Sequence, residues 1–401
     1  MHRLSIKDKW IHFNEKYEYI WGNIFIFIMC LAFVLSDWMV WIFSFSDYLF
    51  GALIVLMVVS NNFQLKSKQY KWILIVIGTV VLNILQNYLI NNGFIIKLGL
   101  ASLFKISLYT IVSFSFYNFI TRINLEKKLI NSLNLATFIV CMIGFYILIA
   151  LYTNGILPYE FLWNYTRTDA ISYLFEGGNN LYRIRSIFSE PSYLGNYLLI
   201  ILGINLFNKK NIKVNLYFIL FLILTIIFTF SYSAISIMVL ILIIHSISSN
   251  AYKKIRLKEY NLLYILITLS ILLVFIYFNK DIIQVTIIER TTEILAGKDS
   301  SASSRLLESW QHINKEHLIA GNGIGHTPDI WNIYAYFLSD LGVLAFVGLI
   351  ILSIYLVSLN YGLGILFIAL NFQKGGYLAV PFYIFIVMIF IFNYKKKGSR
   401  L

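Results

Sequence analysis

Charge, proline and cysteine are all scarce in this 401-residue chain. Only 13% of its residues are charged. A soluble domain carries about a quarter, so no long segment here can present a solvated globular surface. With four prolines in the whole chain, helices can run long without interruption. The two cysteines, Cys30 and Cys141, both stand inside apolar runs. That excludes a disulfide framework or a cysteine metal site and reads as packing. There is no Walker loop, dinucleotide glycine fingerprint, metal-ligand spacing or G-x-S-x-G elbow. No Asp-x-Asp motif for a divalent ion with a nucleotide sugar occurs either. No cofactor and no metal are therefore expected. Internal repeats and low-complexity linkers are also missing.

What is there is mostly hydrocarbon. Hydrophobic residues make up 59% of the chain and aromatics 17%, and the mean hydropathy is +0.76. At about 20 apolar residues per crossing, the chain reads as an all-α polytopic integral membrane protein with about twelve transmembrane helices. The expected spans are 20–36, 38–60, 72–90, 95–120, 133–152, 191–207, 214–231, 233–249, 261–279, 331–357, 360–373 and 377–394. The first is too long for the core of a cleavable signal, and no small-residue cleavage site follows it. It is expected to remain as an anchor.

Lysine and arginine cluster at 3–16, 66–71, 122–128, 209–213, 253–258 and 395–400. Twelve crossings put all six clusters on one side, which the positive-inside rule makes the cytoplasm, with both termini in it. The cytoplasmic segments then carry 21 basic and five acidic residues, against eight and eleven in the two long outer loops. The net charge of +13 thus follows from topology, and no nucleic-acid partner is inferred from it. The chain reads as a single transmembrane domain, 1–401, with large extracytoplasmic loops at 153–190 and 280–330. Loops of that length are usually functional or disordered. Their mixture of aromatic, charged and glycine residues points to order and function.

The first loop ends in Arg183-Ile184-Arg185-Ser186-Ile187-Phe188-Ser189-Glu190-Pro191-Ser192-Tyr193. A polar cluster at the mouth of a membrane helix is costly unless it handles a charged ligand. All three basic residues of this loop, Arg167, Arg183 and Arg185, are arginine, whose planar fork matches phosphate oxygens two at a time. Glu190-Pro191 marks a helix start, where an acid complements the dipole. Glu190 is thus open to two readings, a helix-end residue or a proton acceptor. Arg185 likewise reads as an anion ligand or as an interfacial arginine.

In the second loop, Ser300-Ser301-Ala302-Ser303-Ser304 supplies N-cap candidates for an amphipathic helix on the membrane surface. Leu306, Trp310, Ile313 and His317 would share one face, and Arg305, Glu308, His312 and Glu316 another. Gly321, Gly323 and Gly325 then stop the helix and expose backbone N–H groups in the manner of an anion nest. His326 suits a general base, or else a structural hydrogen bond.

Arg185–Leu194 resembles the signature of bacterial O-antigen and capsule repeat-unit polymerases, of the O-antigen polymerase and ligase superfamily. So do Ser303-Ser304-Arg305 with Trp310 and the glycine string, and Thr229-Phe230-Ser231-Tyr232-Ser233-Ala234 at an outer helical turn. The resemblance extends to the architecture over nearly the whole chain. It implies a C-type glycosyltransferase in a bacterial plasma (inner) membrane that joins oligosaccharide units carried on undecaprenyl pyrophosphate. It also implies a flippase and a chain-length regulator as partners, with membrane lipid around the chain.

By motif match, Arg185 and Arg305 fall in donor and acceptor binding and in leaving-group stabilisation, with Glu190 or His326 as the base. Arg183, Arg167, Tyr193, Trp310 and the three glycines fall in substrate binding. Related ligases carry a His-Asn pair where this chain has Trp331-Asn332, which counts against a ligase and against a histidine base. The competing readings are an O-antigen ligase, a flippase for lipid-linked oligosaccharide, and a structural membrane subunit. For the flippase, the intramembrane cations Lys97 and Lys105 are the candidates.

Overall fold

The computed structural model describes residues 6–153, 156–166, 182–210, 212, 215–249, 270, 284–328, 330–373 and 376–393. Arg167 and, apart from residue 270, the expected span 261–279 lie outside them. The described helices are α1 (Ile6–Val34), α2 (Phe45–Val59), α3 (Ser67–Ile90), α4 (Ile96–Ile123), α5 (Glu126–Tyr152), α6 (Pro191–Phe207), α7 (Leu216–Phe228) and α8 (Tyr232–Ser249). After the second long loop begins come α9 (Arg290–Leu295), α10 (Ser300–Leu306), α11 (Ile333–Leu359), α12 (Tyr361–Asn371) and α13 (Val380–Asn393). The described sheet is a two-stranded antiparallel hairpin, β1 (Met39–Val40) and β2 (Phe43–Ser44).

The chain is a largely helical membrane protein. Five helices are long and apolar enough to cross a bilayer: Tyr17–Val34 within α1, then α3, α4, α5 and α11. Six shorter apolar helices accompany them. Apolar residues surround α6, and most of its side chains are buried, so it occupies the centre of the larger core. Gly195 on α6 lets that helix approach α8, because a Cβ there would lie 2.6 Å from the Cβ of Ala234. A second core gathers α3, α4, α11 and Tyr377. Leu74, Leu82 and Leu89 on the outer face of α3 stay exposed, as a lipid-facing surface requires.

Three expected elements differ from the structure. The span 38–60 is a hairpin followed by the 15-residue α2. Trp41 adopts φ +59 at the hairpin tip, and the Asp47 carboxylate takes the Ser44 N–H at 3.0 Å, which fixes the helix start at Phe45. The span 360–373 forms an 11-residue helix, α12. The amphipathic helix expected through His317 ends at Leu306 and gives way to a 3-10 turn over Glu308–His312. The Ser309 hydroxyl donates to the Ser304 carbonyl at 2.6 Å, closing the backbone away from a helical path.

The largest departure from a regular bundle lies in α11, which is broken at Gly342 (φ +79, ψ −175). The segment Leu318–Thr327 runs alongside the break and satisfies the freed backbone groups. Asn322 N–H donates to Ser339 O at 2.7 Å, Gly323 N–H to Asp340 O at 3.1 Å, and Val343 N–H to Leu318 O at 3.0 Å. Asn83 and Asn87 of α3 close the arrangement, both donating to Ala320 O. A helix can break inside a membrane only where protein replaces the missing hydrogen bonds.

Candidate functional site

The loop before α6 is pinned from several sides. Ile184 N–H donates to Phe228 O at 3.0 Å, which lays the loop against the α7–α8 corner. Trp38 and Trp163 donate their indole N–H groups to Ile187 O (2.8 Å) and Ser186 O (2.7 Å). The Ser186 hydroxyl reaches Val140 O on α5. Asp37, itself buried, accepts both the backbone N–H and the hydroxyl of Ser189. So many anchors hold Ser186 at φ +53, a conformation a serine adopts only when its surroundings impose it.

Arg185 is the buried centre of this turn. It is 1% exposed, donates to Ser189 O at 2.7 Å, and lies 3.6 Å over the Trp163 ring. Arg183 stands at the half-buried edge, with its Nε donating to Thr229 O at 3.1 Å. The third motif, Thr229–Ala234, is therefore the floor beneath Arg183. Glu190 is the N-cap residue of α6, yet its carboxylate caps no backbone N–H. It accepts the Ser192 hydroxyl at 2.9 Å and remains partly exposed.

The second loop brings two more guanidinium groups to the same place. Burial, then the charge of Arg290, pull the Arg183 guanidinium down to about 10, with Glu190 pulling the other way. Burial also lowers Arg305, followed by Arg290; Glu190, Asp299 and Tyr193 act in the opposite sense. Arg290 lies 5.9 Å over the Tyr232 ring, at the corner that Arg183 also reaches through Thr229 O, and Arg183 and Arg305 both feel the charges of Arg290 and Glu190. Asp299 is engaged twice already: it pairs with Arg290 at 2.9 Å and N-caps α10. The Nε of Arg305 is buried with no hydrogen-bond partner, and its Nη1 meets Gln373 at 3.5 Å. Three guanidiniums against two carboxylates leave positive charge over, in a half-buried place where an anion is the fitting ligand.

Tyr193 and Trp331 stand edge-on beside this cluster, ring centroids 6.5 Å apart. Asn332 N-caps α11 through Tyr334 N–H and donates to the Arg305 carbonyl, so it ties α10 to α11. Trp310 packs edge-on against Phe346 in the second core.

The glycine string and His326 are brought elsewhere. The N–H groups of Gly325 and Thr327 both point at a carboxylate, the buried side chain of Asp340 on α11, at 3.0 and 2.9 Å. The acceptor that the end of the glycine turn meets is thus a side chain of the protein itself. His326 Nε2 accepts the Ile95 N–H at 2.7 Å, so Nδ1 carries the proton that goes to Ile324 O. With both ring nitrogens engaged and its ring stacked on Phe94, the histidine closes a turn and has no nitrogen left for a substrate.

Sequence reasoning passed over Arg290, Asp340 and Asn83. The preference for arginine over lysine that singled out the first loop would have found Arg290 in the second. Asp340 is an acid within an apolar span, a signal legible by itself. Of the two intramembrane lysines, Lys105 pairs with Asp47 at 3.2 Å and Lys97 is exposed. Among the described residues no group of three or more His, Cys, Asp or Glu could hold a metal ion. No protein-family model, curated protein or solved structure matches the chain.

Proposed function

We propose that the chain is a polysaccharide polymerase of a bacterial plasma membrane, with about twelve spans and both termini in the cytoplasm. It joins oligosaccharide units carried on undecaprenyl pyrophosphate at the outer face, by inverting glycosyl transfer. The observation that carries this reading is that Arg183 and Arg290, from two separate loops, both stand at the Thr229–Tyr232 corner, with Arg305 and Glu190 within electrostatic reach.

In the reaction the acceptor hydroxyl oxygen attacks the anomeric carbon of the donor. The bond from that carbon to the pyrophosphate oxygen breaks, and lipid pyrophosphate leaves. The guanidinium groups hold the negative charge that develops on it, the kind of electrostatic effect that dominates many enzymatic rates. Glu190 accepts the hydroxyl proton, since His326 is committed to the backbone. Arg185 acts through the turn it buries, as a positioning residue for Glu190 and Arg183. The membrane confines both lipid tails, which makes the encounter two-dimensional.

The purified protein in detergent, given lipid-linked units, is expected to make oligomers. A flippase has no compartment to work across and makes none. Transfer onto lipid A–core alone would mark a ligase. Arg290→Ala and Arg305→Ala are each expected to lower turnover on the order of a hundredfold. Unchanged oligomer lengths in both would end the proposal.

Loss of a general base costs about a hundredfold or more. His326→Ala is expected to stay well short of that per folded molecule, while destabilising by about 1–2 kcal/mol through two lost hydrogen bonds. Turnover normalised to monodisperse protein, alongside thermal unfolding, separates the two effects.

A further inference from the structure

A cavity of about 290 Å³ opens between α5, α6 and α7, near the end of α6 opposite to Glu190. Its polar wall is four asparagines, Asn131, Asn134, Asn205 and Asn215. Asn134 and Asn205 exchange hydrogen bonds reciprocally at 2.8 and 2.9 Å, and Asn205 also donates to Ile201 O. Asn215 accepts the Tyr217 N–H, while Asn131 has no protein partner among the described residues. The apolar part of the lining includes Leu135 and Phe138, which are 62% and 45% exposed on a membrane helix. The cavity therefore opens sideways to hydrocarbon.

Lys127, Asn131, Leu135 and Phe138 follow one another at helical spacing and form a single stripe of α5. Lys127 is exposed and lies in the basic cluster 122–128. Along this stripe the chemistry runs from cation through amides to hydrocarbon. Lys127 to Asn131 covers ~6 Å of helix axis, at 1.5 Å per residue. The layer between headgroups and hydrocarbon is roughly 5–8 Å deep. Asn131, an exposed amide without a partner among the described residues, is costly beside hydrocarbon unless it meets a polar group of a ligand.

We propose that this slot binds an anionic phospholipid of the leaflet on the basic side, its phosphate at Lys127, its glycerol esters against the asparagine amides and an acyl chain along Leu135 and Phe138. The proposal is independent of the polymerase reading.

Native mass spectrometry of the detergent-purified protein, titrated with phosphatidylglycerol or phosphatidylethanolamine, tests it. One phosphatidylglycerol is expected to bind tightly. Lys127→Gln is expected to lower its affinity about fivefold, to the level of phosphatidylethanolamine, since one lysine near an anionic headgroup has about that effect. Asn131→Leu should weaken both lipids. Lys68→Gln, at another exposed cation of the basic side, should change neither. Soluble glycerol phosphate should not displace the lipid. Lys127→Gln replaces an exposed side chain and leaves the fold intact. Unaltered phosphatidylglycerol binding in Lys127→Gln and Asn131→Leu, or equal displacement by glycerol phosphate, overturns the proposal.

Discussion

Replacing Gly342 by alanine is expected to leave little folded protein in the membrane. An ideal Cβ at Gly342 would sit 2.0 Å from Ile319 O and 2.5 Å from Ile319 C. Both are backbone atoms, so no side chain can rotate out of the way. The conformation itself, φ +79 and ψ −175, belongs to a region that glycine alone enters readily. Holding another residue there costs about 1–3 kcal/mol before any clash is counted. Gly321 is the reciprocal contact, since its Cβ would lie 2.6 Å from Ser339 O.

Pushing these two backbones apart would also break the bonds from Asn322 and Val343 that repair the helix. Since stabilities run to about 5–15 kcal/mol, the sum is a large fraction of the whole. The yield of monodisperse protein and its thermal unfolding measure the effect. Gly348→Ala, in the same helix with open space around it, is the control and should be neutral or slightly stabilising. Equal yields of the two variants would refute this account of the break.

Asp340→Ala is expected to be nearly as damaging. The carboxylate accepts the Gly325 and Thr327 N–H groups and the Tyr377 hydroxyl at 2.7 Å, all beside a fully buried side chain. Removing it orphans three donors at about 1–3 kcal/mol each. Asp340→Asn keeps one acceptor oxygen and turns an amide donor toward the other donors, so it should fall between wild type and alanine. The marker is local: amide hydrogen exchange at Gly325 and Thr327 should accelerate far more than in the larger core. Unchanged exchange at those two amides would show that something else holds the segment.

Much of the helical framework could be read directly. Hydrophobic runs located α3, α4, α5 and α11 closely, because a membrane helix must be apolar along its length. Glu190-Pro191 marked the start of α6, where local chemistry is sufficient to place a helix end. The hairpin at 39–44 escaped notice because its residues are as apolar as the helix that follows. The capping pair Ser44 and Asp47, the signal that separates them, is short.

The site divides along the same line. That arginines stand at the mouth of α6 is a local fact of spacing, and the sequence alone contained it. Which guanidiniums meet could not be known that way. Arg183 and Arg290 lie more than a hundred positions apart in the chain, and only packing brings both to the Thr229–Tyr232 corner. The Gly321–Gly325 turn illustrates the limit most sharply. Its glycines pointed to backbone N–H groups in need of acceptors; Gly321 and Gly323 find backbone carbonyls, and Gly325 finds a carboxylate. The tertiary structure decided that the acceptor is Asp340 of the chain itself, because a membrane interior lets neither buried carboxylate nor broken helix stand unpaired.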